Sequence, residues 1–258
     1  MYPTNTLTEK IKLFLKILWP ILITQLSMNL MNVVDTMMSG RAGTSDLAGV
    51  AIGSSLWLPI FTGIGGLWMA VTPIVAQDLG KNRPDRIPQH VIQALYLSVI
   101  VSVVVIATGG FALDPILSFM ALEADVQHIA KHYLIGLAVG IVPLFASNVL
   151  RYFFDAQGYT RITMQIMLLA VPVNVFLNYI LIFGKWGFPA LGGIGAGYAT
   201  GLTYWLIFFI SVWMTFRVEA MRRFRLFLQW PAPSWKAWKG QLAIGIPMGL
   251  SIFFEASI

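Results

Sequence analysis

The sequence predicts an all-α, polytopic membrane protein. Hydrophobic residues make up 57% of the 258 residues, charged residues only 11%, and the mean hydropathy is +0.75. This composition is typical of membrane proteins rather than of soluble domains. Apolar runs of about 20 residues, the length that crosses a bilayer, recur along the chain, and basic residues concentrate between alternate runs. The chain has no cysteine, which excludes disulfides and thiolate metal sites.

The apolar runs predict six complete membrane spans and the start of a seventh. The six lie at about 17–38, 51–77, 91–113, 130–150, 162–183 and 194–216, and the seventh begins near Gln241. Residues 114–125, with Pro115, are expected to form a short interfacial connection. No connector is long enough to bury a core of its own. The predicted organisation is therefore a six-helix N-terminal lobe (1–216), a basic linker (217–239) and a truncated seventh transmembrane helix that starts a C-terminal lobe (240–258).

The basic residues predict the orientation of the chain in the membrane. Of the 17 lysines and arginines, only Arg41, Lys131 and Lys185 fall in the loops after odd-numbered spans. All the others lie in the N-terminal segment, the 2–3 loop, the 4–5 loop or the linker, so these regions are predicted to be cytoplasmic. The linker run 221–225 is interpreted as an amphipathic segment that touches lipid headgroups. A lipid-regulatory or nucleic-acid role of this run is the alternative. The charge distribution of the whole chain argues against a nucleic-acid partner.

Asp35 is the first candidate functional residue, because it lies in an apolar run that is otherwise uncharged. A carboxylate at membrane depth costs roughly 2.5–3.5 kcal/mol on insertion scales, so such residues usually serve a function. Polar residues recur beside it at helical spacing, which predicts one polar stripe with Asp35 at its edge. This stripe should face other helices or a water-filled cavity. Its members are Gln25, Asn29, Asn32, Thr36 and Ser39.

The positions of the charged residues indicate which ligands Asp35 could bind. Of the 11 acidic residues, only Asp35 and Glu255 are expected at membrane depth, whereas Asp155 and Arg151 are assigned to connectors. No lysine or arginine is expected inside a span. Two acids without a fixed basic partner suit a mobile cation, which could be a proton, Na⁺ or an organic cation. The alternative for Asp35 is an interhelical hydrogen bond made by the neutral acid.

Two asparagines in the fifth span are further candidates. Asn174 and Asn178 are four residues apart, just after Pro172, so they share one helix face near an expected kink. Their side-chain oxygens could bind Na⁺, and their amide groups could donate to a carboxylate. The alternative is that they simply join two helices.

Glycines at four-residue spacing predict close packing between helices. They occur at Gly136 and Gly140, and again at Gly193, Gly197 and Gly201. The glycine-rich segment 192–197 is not a nucleotide-binding loop, because it lacks the strand context and the lysine of such loops.

Several short segments of the chain form recognisable motifs. The segment NVVDTMMSG at 32–40 resembles the first-helix motif of the multidrug and toxic compound extrusion (MATE) family, in particular its NorM-like bacterial branch. The similarity continues in order along the chain and is strongest at 174–200. Further matching segments are WLP at 57–59, PIVAQ at 73–77, RYFFDAQG at 151–158, LNYILIFG at 177–184, and Pro247 with FFE at 253–255.

The resemblance implies a twelve-helix transporter of two six-helix lobes that exports organic cations in exchange for H⁺ or Na⁺. It implies an N-lobe cation site for Na⁺ or a proton made by Asp35, Asn174 and Asn178, and a C-lobe cation site that includes Glu255. One archaeal branch carries a second acid where this chain has Ile182. Proton schemes that need paired acids therefore do not carry over.

The sequence thus predicts the N-terminal half of a cation-coupled multidrug antiporter of the bacterial cytoplasmic (inner) membrane. The candidate cation- or substrate-binding residues are Asp35, Asn174, Asn178, Glu255, Asn32 and Gln25. We expect no cofactor beyond the coupling ion and no enzymatic activity. The expected partners are membrane lipid, lipophilic organic cations and H⁺ or Na⁺, with a monomer as the functional unit once the C-terminal lobe is present.

Two other functions remain open from the sequence. A flippase for an anionic lipid-linked sugar would need buried arginines in its cavity. An intramembrane enzyme using Asp35 as an acid or base would need a second group at the same depth, and Glu255 is the one candidate.

Overall fold

A computed structural model describes residues 6–228 and 230–256, and over this range the chain is almost entirely helical. The outer limits of the predicted lobes, at residues 1 and 258, lie outside the described residues. A one-turn 3₁₀ helix, Pro84–Arg86, precedes α4. The helices are α1 (Leu7–Ala42), α2 (Thr44–Trp68), α3 (Val71–Gly80), α4 (Ile87–Phe119), α5 (Ala124–Ala138), α6 (Ile141–Ala156), α7 (Thr160–Phe183), α8 (Gly193–Arg217), α9 (Glu219–Arg222) and α10 (Trp235–Ala256).

Six membrane crossings account for most of these helices, which confirms the predicted six-helix lobe. Length and apolar composition identify five spans: α1, α2 together with α3, α4, α7 and α8. Helices α5 and α6 meet the same criteria as a pair bent by 50°, which makes six spans when the pair is counted as one. Helix α10 lies where the seventh span is predicted but begins earlier, at Trp235. It is not among the helices that meet the same length and composition criteria, so its membrane insertion stays a prediction.

Prolines explain why the second and fourth spans are broken. Pro73 and Pro143 each occupy the third position of a helix, α3 and α6 respectively. Proline lacks an N–H group, and its ring collides with the carbonyl four residues earlier, so a helix does not run through it undisturbed. The chain accordingly leaves the helical path at Met69 and at Val139. The sequence predicted the two spans as single segments, and the structure replaces each with a pair of helices.

Two helices extend further than hydropathy indicates. Helix α4 continues through Asp114 and Pro115 to Phe119, so the predicted interfacial connection at 114–125 is largely helix. The Lys131 Nζ atom pairs with Asp114 Oδ1 at 2.6 Å and ties the end of α4 to α5. Helix α6 likewise runs on to Ala156. The reason is that hydropathy marks the edge of the membrane, whereas a helix ends only where its backbone hydrogen bonds end.

Glycines allow helices α5 and α8 to pack closely, as predicted. Helix α8 packs against α5, α6 and α7, and its contact with α5 is the tightest. A methyl group at Gly197 would overlap the carbonyl oxygen of Tyr133, and one at Gly201 would lie 2.5 Å from that of Gly136. Such distances leave no room for a side chain. The four-residue glycine spacing therefore sets how deeply α8 sits in the lobe.

The N-terminus of α8 is fixed by an acid from α2. The Gly193 N–H donates a hydrogen bond to Asp46 Oδ1 at 2.6 Å. Gly192 adopts φ 57°, and a Cβ atom there would overlap the same carboxylate. An acid at a helix N-terminus is stabilised by the helix dipole. The Gly192–Gly193 pair is thus a structural joint, consistent with its exclusion as a nucleotide loop.

Candidate cation site

Helix α1 presents one buried polar face to the rest of the lobe. Its buried residues are spaced three or four apart: Pro20, Thr24, Ser27, Met31, Asp35 and Ser39. The hydroxyl groups of Thr24 and Ser27 donate to carbonyls of their own helix. Asp35 is 2% exposed and points into the bundle, where α1 packs against α7 and also contacts α8. A carboxylate therefore lies inside the helical core.

Neutral hydrogen-bond donors from two other helices surround this carboxylate. Asn178 Nδ2 donates to Asp35 Oδ1 at 2.6 Å, and the Thr200 hydroxyl donates to Asp35 Oδ2 at 2.7 Å. Asn174 Nδ2 donates to Thr200 Oγ1, and Asn178 Nδ2 also reaches Asn174 Oδ1, both at 3.2 Å. All four side chains are buried. We call Asp35, Asn174, Asn178 and Thr200 the Asp35 cluster.

The sequence predicted three members of the Asp35 cluster and missed the fourth. Asn174 and Asn178 face Asp35 because they lie one turn apart on α7, the helix that packs most closely on α1. Thr200 comes from α8, immediately before Gly201 of the glycine contact. Threonine in a helix ordinarily donates to its own backbone, as Thr203 does to the Ala199 carbonyl at 2.8 Å. The one signal in the sequence that the Thr200 hydroxyl bonds another helix is its position next to Gly201, where α8 packs closely on α5.

No basic side chain among the described residues compensates the negative charge of the Asp35 carboxylate. Within residues 6–228 and 230–256, Asp35 forms no ion pair. Two buried oxygens beside it also have no hydrogen-bond partner in that part of the chain: Asn178 Oδ1, and the hydroxyl of Ser39 one turn further along α1. An unsatisfied buried polar atom costs about 1–3 kcal/mol. Carboxylate, amide and hydroxyl oxygens gathered in this way suit a small hard cation or a proton.

The other predicted site residues lie apart from this cluster. Gln25 and Asn32 are exposed on α1. Gln25 Oε1 accepts a hydrogen bond from Arg151 Nη2 at 3.2 Å. Glu255 is exposed on α10, which packs against α2 and α4 rather than against α7 or α8. The structure thus separates the predicted residues into a buried cluster, an exposed stripe and a distant acid.

Asp155, a carboxylate that is largely shielded from solvent, lies in a helix and not in the predicted connector. Asp155 and Arg151 lie in the last turns of α6, although the sequence assigned both to a connector. Arg151 Nε lies 3.7 Å from Asp155 Oδ2, and their side chains are only 14% and 17% exposed. The Thr163 hydroxyl donates to Asp155 Oδ1 at 3.1 Å. The prediction failed because α6 extends past its apolar segment. This Asp155 cluster, unlike the Asp35 cluster, contains its own cation.

Together, the fold and the site define a multi-pass helical membrane protein whose lobe carries a candidate cation site in its core. Residues 20–180 match the model of the MatE family. Because this match covers more than half of the chain, the chain belongs to the MatE family.

Curated relatives and solved structures agree with this assignment. A probable multidrug resistance protein NorM from Oceanobacillus iheyensis is 55% identical over all 258 residues, and one from Halalkalibacterium halodurans is 54% identical. The chain covers 58% and 56% of these two proteins, so it spans little more than half of their length. The crystal structure of a eukaryotic MATE transporter superposes with a TM-score of 0.84 at 22% identity, over 96% of this chain and 54% of that one. At that identity the likeness concerns the fold.

Proposed function

We propose that this chain is one lobe of a secondary active transporter that exports organic cations in exchange for H⁺ or Na⁺. The observation that carries the proposal is the Asp35 cluster: a buried carboxylate with neutral donors and no basic partner among the described residues. The names of the two bacterial relatives, which describe multidrug resistance, support the choice of substrates.

The cluster offers a simple coupling mechanism. A buried carboxylate that lacks a basic partner is stabilised by a proton or by a bound cation. With Na⁺, the orphan oxygens of Asn178 and Ser39 would be further ligands. A coupling ion need only favour the conformation that releases the substrate, because any ligand with a differential affinity shifts the population of states. By linkage, the substrate then weakens binding of that ion.

The exposed stripe of α1 is the candidate surface for the substrate. Gln25, Asn29 and Asn32 are exposed beside the large apolar side chains of Leu26 and Val33. A surface that mixes amide groups with apolar groups suits lipophilic cations better than it suits a lipid tail. We infer that this stripe faces a cavity that a second lobe completes. The cation site predicted to include Glu255 would be part of that second lobe.

The two rival functions gain less support. A flippase for an anionic headgroup would use buried arginines, and the buried arginine of the lobe, Arg151, is paired with Asp155. An enzyme using Asp35 would need a second acid–base group beside it, but Glu255 lies on the far helix α10. We further propose that the protein resides in the bacterial inner membrane as a monomer with a cytoplasmic N-terminus, and that it uses no cofactor and binds no nucleic acid.

Transport by the reconstituted protein in its full natural length tests the proposal. Ethidium efflux is measured in proteoliposomes under an imposed Na⁺ gradient and, separately, under an imposed pH gradient. We expect one of the two gradients to drive efflux by the wild type, and neither to drive it in Asp35→Asn. Asp125→Asn, which removes an exposed acid from the first turn of α5, is the matched control and should transport normally. Wild-type efflux by Asp35→Asn would refute the proposal.

A further inference from the structure

A groove separates the loop before α4 from the segment after α9, at the end of the bundle that the charge distribution predicts to be cytoplasmic. Its volume is about 550 Å³. The loop contributes one wall and the linker contributes the other. The residues that matter for its chemistry are Asn82, Pro84 and Asp85 on the first wall, and Arg223, Arg225 and Leu228 on the second.

The linker wall is anchored to the lobe rather than hanging free. Met221, Phe224 and Leu226 are 1%, 6% and 3% exposed, and Gln157 Nε2 donates to the sulfur of Met221 at 3.3 Å. The arginines alternate with these anchors and are exposed. Their backbone is therefore held in one place, which lowers the entropy lost when they bind a ligand.

One of these arginines has an unusual backbone conformation. Arg225 adopts φ 50°, a left-handed conformation that is unfavourable for a residue with a side chain. Such a conformation persists where the surrounding structure enforces it, and it is enriched at functional sites. Here it lies between the buried Phe224 and Leu226, in the turn that aims Arg223 and Arg225 into the same groove.

The electrostatics of the groove favour an anion. Neither Arg223 nor Arg225 forms an ion pair with any residue that the structure describes, including Asp85 on the opposite wall. The Arg223 guanidinium lies over the ring of Phe224, 4.7 Å from its centroid, with its N–H edge still available. Basic residues outnumber acidic ones in the two segments: Lys81, Arg83, Arg86, Arg222, Arg223 and Arg225 against Asp85 and Glu219.

We propose that this groove binds the phosphate of an anionic phospholipid. Guanidinium groups match phosphate oxygens through paired hydrogen bonds, and basic residues beside membrane helices attract anionic headgroups. A lipid fits better than a soluble phosphate because the groove continues onto apolar surface. Leu228, which lines it, is 70% exposed, and the nearby Trp230 is 58% exposed. Trp230 packs against Phe227 and against Tyr96 of α4, an aromatic group typical of the membrane interface.

Occupancy of this site has a consequence for the linker. The groove joins the connection between the second and third spans to the segment that leads into α10. A bound phosphate would therefore bridge two segments of like charge that otherwise repel each other. The lipid would thus reinforce the contacts that already hold the linker and the start of α10 against the lobe, such as the hydrogen bonds of Gln93 with Ala232 and Ser234.

Native mass spectrometry of the purified protein in its full natural length tests the site, with no need for transport. Phosphatidylglycerol and phosphatidylcholine are titrated separately, and the protein–lipid adducts are counted. The groove variant is Arg223→Gln/Arg225→Gln. The matched control is Arg222→Gln/Lys239→Gln, which removes the same charge from exposed positions outside the groove. We expect the wild type and the control to retain phosphatidylglycerol in preference to phosphatidylcholine, and the groove variant to bind it about tenfold more weakly.

Two results would overturn the proposal. Equal losses in the groove variant and in the control would mean that general surface charge, not this groove, attracts the lipid. Displacement of phosphatidylglycerol by inorganic phosphate at equal concentration would show that the groove takes a free anion and would refute the lipid assignment.

Discussion

Asp35 and Asp155, two carboxylates shielded inside the lobe, differ in how their charge is balanced. Asp155 accepts a hydrogen bond from Thr163 and pairs with Arg151 on its own helix. Asp35 likewise accepts a hydrogen bond from a threonine, Thr200, but its other neighbours are asparagines from a different helix. One cluster is electrically complete, whereas the other needs a cation that the described chain does not supply.

This difference indicates which acid can serve transport. A carboxylate that carries its own arginine gains little from a mobile ion, so the Asp155 cluster is a structural tie near one end of α6. A carboxylate surrounded by neutral donors keeps its affinity for a cation. Burial alone would not have distinguished the two, since both side chains are largely shielded from solvent.

Asparagine substitutions should separate the two clusters most clearly. Asp155→Asn leaves Arg151 without its acid and should lower the free energy of unfolding by up to about 3 kcal/mol, because breaking a buried pair strands a charge. The remaining folded protein should still transport. Asp35→Asn should abolish efflux while preserving stability, since it removes a charge that has no partner. Thermal unfolding and efflux per folded molecule measure the two effects. The reverse pattern, with transport lost at Asp155 and stability lost at Asp35, would break the comparison.

A smaller effect is expected at Thr200. Replacement by valine keeps the shape of the side chain but removes the hydroxyl that faces Asp35. A hydrogen bond to a charged group contributes about 1.5–3 kcal/mol and stabilises the free carboxylate. Its loss should therefore change the affinity for the coupling cation about tenfold or more, with tighter binding if that cation is a proton. Thr203→Val is the matched control on the same helix, because the Thr203 hydroxyl bonds the Ala199 carbonyl of its own backbone. Equal cation affinities in the two variants would remove Thr200 from the site.

The smallest effect is expected at Gln25. Its carbonyl accepts from Arg151 at 3.2 Å at an exposed position, and Arg151 keeps Asp155 when Gln25 is removed. Gln25→Ala should therefore change stability by no more than about 0.5 kcal/mol. Any change in the variant should appear in substrate affinity, measured by ethidium binding, if the exposed stripe contacts the substrate. A loss of stability as large as that of Asp155→Asn would show that Gln25 belongs to the structural cluster.

Hydropathy predicted the spans, and the structure brings together three of the residues that the sequence singled out, Asp35, Asn174 and Asn178. Asp35 stood out because a lone acid in an apolar run is rare, and family resemblance paired it with Asn174 and Asn178. Thr200 escaped notice because a helical threonine commonly bonds its own backbone. Which face of α1 is buried also depended on tertiary packing: Asp35 turned inward, whereas most of the adjacent stripe turned outward.

The ends of helices were the least predictable features. Arg151 and Asp155 looked like connector residues because the apolar segment stops at Leu150, yet α6 continues to Ala156. The sequence shows Pro73 and Pro143 but does not show that a helix is interrupted before each of them. Other prolines of the chain lie inside continuous helices: Pro20, Pro59 and Pro172. Only the packing of neighbouring helices decides whether a proline interrupts a helix or is accommodated by it.

The central claim is that substrate binding displaces the coupling ion from the Asp35 cluster, and counting displaced ions tests it most directly. Tetraphenylphosphonium, a lipophilic cation, is added to the purified protein in weakly buffered solution while pH and Na⁺ electrodes record what is released. The account predicts release of H⁺ or Na⁺ from the wild type and from Asp155→Asn, and none from Asp35→Asn. Equal release from Asp35→Asn and the wild type would contradict it.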